Sequence, residues 1–70
     1  MRYAVVIEQA QDNYSAYVPD LPGCVAKGDT ILEVDSQIRE AILFHLDGLR
    51  EDGMRIPLAS SHVDYVDIAA

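Results

Sequence analysis

The stretch Thr30–Gly53, TILEVDSQIREAILFHLDGLREDG, decides the fold. Thr30 followed three residues later by Glu33 is a capping-box pattern that starts a helix. Ile31, Val34, Ile38, Ala41, Ile42, His45, Leu46 and Leu49 recur at helical spacing and make one apolar face. Gly53 stands where a left-handed C-cap belongs, and Pro57 follows it. The spacing predicts a helix over about Ile31 to Asp52. Its length is near 30 Å at 1.5 Å per residue, enough to cover a small sheet.

Upstream of the helix the periodicity changes from 3.6 to two. Arg2–Gln9 alternates, with Tyr3, Val5 and Ile7 on one side and Ala4, Val6 and Glu8 on the other. Gln11-Asp12-Asn13 is a turn signal, and Tyr14–Val18 alternates again, which predicts a β-hairpin. Apolar groups on both faces of the first strand suggest a central position in the sheet. Pro19-Asp20-Leu21-Pro22-Gly23 interrupts the regular structure, and Cys24-Val25-Ala26 reads as a short third strand closed by Gly28. Downstream, His62–Ile68 alternates once more and is read as a fourth strand. The expected fold is α+β, β-β-β-α-β: an antiparallel sheet with one long helix packed on one face, in a single domain spanning residues 1–70. One helix covers one face, so the other is polar, exposed or covered by another chain.

Seventy residues support only a small core, about 3–5 kcal/mol of net stability without a staple. Cys24 is the only cysteine, so neither an internal disulfide nor a cysteine-based zinc site is available. Association, with itself or with a partner, is the remaining supplement. Twelve acidic residues face five basic ones, for a net charge of −7. The cations Arg2, Lys27, Arg39, Arg50 and Arg55 are scattered, which argues against direct nucleic-acid binding. Acidity favours a basic protein partner, although it serves solubility equally well. No apolar run approaches the roughly 18–20 residues that span a bilayer, and the N-terminus reads as a strand. A cytoplasmic location is expected.

Several residues here resemble a known family. Tyr17-Val18, the element Pro19-Asp20-Leu21-Pro22-Gly23-Cys24, Gly28-Asp29-Thr30, Glu40-Ala41, His45-Leu46, Asp52-Gly53 and Pro57 together look like the HicB-like antitoxins. The resemblance spans nearly the whole chain. It implies a trimmed ribonuclease-H-like sheet and a place in a type II toxin–antitoxin pair. The implied partner is a small basic toxin, HicA, which resembles a double-stranded-RNA-binding domain and cleaves mRNA. Many members of the family carry a C-terminal DNA-binding module, which the present 70 residues do not show, so autorepression through DNA is not expected of them.

The candidate sites follow. Asp20, Leu21, Pro22 and Asp29 are partner-contact candidates, with Asp20 and Leu21 placed at the loop tip. A rigid loop has little entropy to lose on binding. Leu32 and Leu43 on one flank of the helix, with Phe44 on the opposite flank, are candidates for a homodimer or higher homo-oligomer interface. Cys24 lacks a base to activate it and reads as a small hydrophobe. His45 and His62 do not make a metal site by themselves. No cofactor, no metal and no catalysis are expected. Two alternatives remain open: a metal-dependent nuclease in which Glu8, Asp20 and Asp64 converge, and a self-associating domain that binds an unrelated ligand in a deep pocket.

Overall fold

A computed structural model describes residues 1–69. Three antiparallel strands precede one long helix: β1 Val6–Gln9, β2 Tyr14–Tyr17, β3 Val25–Gly28 and α1 Ile31–Glu51. The sheet order is β1-β2-β3. The hairpin pairs Ile7 with Ala16 and Gln9 with Tyr14, and β2 pairs Ala16 with Ala26 and Tyr14 with Gly28. Directly opposed residues share a face. Ile7, Ala16 and Ala26 therefore stand in one row, and Val6, Tyr17 and Val25 in the next row on the opposite side.

The helix covers the first of these faces. Ala16, Val18, Leu21, Cys24, Val34, Ile38 and Leu46 form the buried core, with Tyr3, Val5, Tyr14, Ala26, Ala41, Ile42, Leu49 and Ile56 packed around it. The approach of helix to sheet is closest at Gly28. A Cβ there would lie 2.7 Å from the backbone nitrogen of Val34, so only glycine lets α1 settle onto β3. Of the expected apolar stripe, Val34, Ile38 and Leu46 are buried, Ala41, Ile42, His45 and Leu49 are half-buried, and Ile31 at the first turn is exposed.

The helix ends are closed as the sequence predicts. The amide of Glu33 donates to Thr30 Oγ1 at 3.0 Å, and the Glu33 carboxylate accepts from the amide of Asp29 at 3.0 Å. At the other end Gly53 has φ +67°. Its amide donates to the Arg50 carbonyl and that of Met54 to the Leu49 carbonyl, the bond pair of a Schellman motif.

Two strand expectations are corrected. β1 lies at a sheet edge and β2 in the centre. The ladder takes up β1 only at Val6; before it, Tyr3 and Val5 pack on the core, and the Tyr3 hydroxyl donates to the Pro57 carbonyl. Residues 62–68 form no strand: among the described residues the segment has no ladder partner. Alternation reported a chain suited to pairing, and a ladder also needs a free edge within reach.

Candidate partner-binding surface

The loop between β2 and β3 is built from two successive turns. The amide of Leu21 donates to the Val18 carbonyl at 3.0 Å, and that of Cys24 to the Leu21 carbonyl at 3.0 Å. Pro19 and Pro22 occupy the second position of each turn, where a fixed φ is pre-set. Gly23, third in the second turn, has φ +84°, the value a type II turn demands there. The amide of Val18 donates to the Cys24 carbonyl at 3.2 Å and closes the loop.

This geometry sorts the expected contact residues. Leu21 is not at the tip of the loop; the double turn swings it inward, and it is 0% exposed, among the largest fully buried side chains. It is a core residue and offers no surface for a partner. Pro22 and Asp29 are exposed. Asp20 is half-buried and already engaged. Its carboxylate accepts from the amides of Ser60 and Ser61 at 2.9 and 2.8 Å, and from their hydroxyls at 3.2 and 2.7 Å. The Ser61 amide, foremost among these donors, holds the Asp20 carboxyl below the ordinary carboxylate range. Sequence reading missed this clamp because its partners lie 40 residues apart. The paired serines before an alternating segment were the available signal.

Beyond the clamp the chain runs on as an arm. Val63, Tyr65, Val66 and Ile68 are 47–90% exposed, with Tyr65 the most open. Leu32, Leu43 and Phe44 on the helix are exposed as well. Leu32 and Leu43 share a flank, whereas Phe44 lines a groove on the other, between α1 and the free edge of β3, with Val25, Ala26, Lys27, Glu40 and Ala41. The oligomer candidates are therefore split between two surfaces.

Among the described residues no group of three or more His, Cys, Asp or Glu side chains is placed to hold a metal ion. Glu8, Asp20 and Asp64 therefore make no such group among the described residues. Cys24 is buried, and burial pushes its thiol pKa up, away from a reactive thiolate. Among the described residues no helix is long and apolar enough to cross a membrane.

A model of the HicB-like antitoxins of bacterial toxin–antitoxin systems matches residues 3–69. The chain belongs to that family. It is 39% identical over 67 residues to an uncharacterized 14.9 kDa protein of Haemophilus phage HP1, a span of 96% of this chain and 50% of the phage protein. The chain thus covers about half the length of that relative. A UPF0150 protein of Thermoplasma acidophilum is 38% identical over 58 residues, 81% of this chain and 84% of the relative. A UPF0150 protein of Helicobacter pylori is 43% identical over 47 residues, 67% of this chain and 65% of the relative. No solved structure gives a significant match. Membership of this family supports an antitoxin role for the HicB-like chain.

Proposed function

We propose that this HicB-like chain is the toxin-binding module of a toxin–antitoxin pair, and that it binds and neutralises a small basic HicA-like mRNA-cleaving toxin without catalysis of its own. The family match over residues 3–69 carries the reading. Its net charge of −7 suits a basic partner, because complementary charge speeds and selects encounters. Among the described residues fourteen large hydrophobic side chains stay exposed against seven residues in the core, a balance that favours association. Pro22 and Asp29, with the rim of Asp20, would meet the toxin; Leu32, Leu43 and Phe44 would take part in a homo-oligomer. The protein would work in the cytoplasm, with residues 1–70 as one HicB-like domain that needs no cofactor and makes no direct contact to nucleic acid.

Co-expression with a HicA-like toxin from the same genome tests the proposal. Growth should be restored, and a complex should co-purify that weakens as salt is raised. A toxin that stays lethal and elutes alone overturns the reading.

A further inference from the structure

Beyond Ser61 the chain forms no helix or ladder, and its sequence alternates with apolar groups at Val63, Tyr65, Val66 and Ile68. In an extended strand Val63 and Tyr65 would share one face and Val66 and Ile68 the other. Tyr65, Val66 and Ile68 are 73–90% exposed, whereas Val63 is half-exposed and, with His62, lines a cavity beside Arg2, Tyr3 and Ala4. A strand of this pattern suits a position with both faces covered. The arm also leaves the body. The radius of gyration is 13.7 Å, against about 11 Å for a compact chain of this length, and the long axis reaches 48 Å. Four hydrogen bonds from Ser60 and Ser61 to Asp20 fix its root, so its exit is set and less entropy is lost when it docks.

The groove between β3 and α1 is a matching acceptor. Among the described residues no strand lies beside the outer edge of β3. On the helix side the edge is flanked by Ala41 and Phe44, and on the open side by Val25 and Tyr17. Phe44 is 82% exposed and Val25 64%. A strand added here would rest one face on Phe44 and Ala41 and the other beside Val25 and Tyr17. Lys27 and Glu40 both line the groove, so apolar contact and the open strand edge, and not net charge, favour the arm there.

We infer that two copies of this chain exchange arms: residues 62–68 of each add as a fourth strand to β3 of the other, in the groove beneath Phe44. This rests on the self-association part of the proposed function and names the surface that provides it. The exchange is two-fold symmetric, so each contact occurs twice. The two copies of Tyr65 and Phe44 alone bring about 600–1,000 Å² of aromatic surface, a large share of the roughly 1,200–2,000 Å² typical of a stable interface. It also completes the four-stranded sheet that the alternation of His62–Ile68 predicts.

The test is sedimentation equilibrium of the full chain and of three variants. Tyr65→Asp with Val66→Asp alters the arm, Phe44→Asp alters the groove, and Ile7→Asp alters the opposite sheet edge. Each site is exposed in the single chain, and circular dichroism confirms that each variant folds. The native chain should dimerise, and the arm and groove variants should each dimerise at least about tenfold more weakly. An equimolar mixture of those two should dimerise more tightly than either alone, because one intact arm then meets one intact groove. A monomeric native chain overturns both self-association and exchange. A dimer that survives the arm and groove changes, or that only Ile7→Asp breaks, overturns the exchange and leaves self-association standing. Toxin neutralisation by the arm variant is scored separately, so its failure is distinguishable from either.

Discussion

The loop Val18–Cys24 and the arm 62–68 are each seven residues long and are joined through the Asp20 carboxylate of the loop, yet they obey opposite logic. In the loop, two prolines, a glycine with positive φ and three backbone hydrogen bonds leave little freedom, and Leu21 is driven into the core. In the arm no backbone ladder forms and the apolar side chains stand in solvent. The difference is one of partners. Local turn chemistry satisfies the loop from within, whereas a strand needs a neighbour, which the isolated chain does not offer it. Asp20 sits at the tip of the first region and holds the root of the second.

The largest effect should come from comparing a core residue of the loop with an apolar residue of the arm. Leu21→Ala removes a fully buried side chain, at a cost of about 2–5 kcal/mol. That approaches the roughly 3–5 kcal/mol a core of this size supplies, so the variant should be largely unfolded by circular dichroism at 25 °C. Tyr65→Ala, measured at concentrations where the chain is monomeric, should shift a urea transition by less than about 0.5 kcal/mol. Equal effects at the two positions would erase the contrast between loop and arm.

That contrast also explains which features were legible in the sequence. The capping box at Thr30 and Glu33, the glycine end at Gly53, the hairpin at Gln11–Asn13 and the order of three strands and a helix are local signals, and each reappears in the structure. The inward turn of Leu21 was not legible, because a loop leucine between two prolines looks like a tip until both turns are formed. Nor was the edge position of β1, since apolar groups on both faces speak of burial and do not say which strand lies alongside. The clamp at Asp20 joins residues 40 apart, and no periodicity reaches that far. Leu32, Leu43 and Phe44 are exposed, and only the structure shows that Phe44 shares a groove with β3.

A middle-sized effect sharpens the account of the loop. Gly23 has φ +84° with nothing within 4 Å of where a Cβ would stand. Gly23→Ala therefore meets no clash, and its whole cost is the left-handed backbone, about 1–2 kcal/mol. Chemical denaturation should show that loss with an unchanged slope. A neutral or stabilising substitution would mean that the second turn is not held in this form.

The smallest effect lies at the junction of the two regions. The Asp20 carboxyl is held below its ordinary pKa, chiefly by the Ser61 amide and then by the Ser61 hydroxyl. A group whose pKa is depressed on folding contributes stability above its unfolded pKa and loses it as pH falls through the folded value. The clamp should then be closed and insensitive to pH throughout the neutral range, and should open only in acid below the ordinary aspartate range of about 3.9. Asp20 is accessible to solvent, so the change belongs to the arm's root more than to global stability. The amide signals of Ser60 and Ser61 should titrate together with a midpoint below that value, and Asp20→Asn should abolish the titration while the core signals stay in place. A midpoint at or above the ordinary value would show that the serines do not hold the charged carboxylate. The arm would then be untethered at its root, and its exchange between copies would lose the fixed exit that favours it.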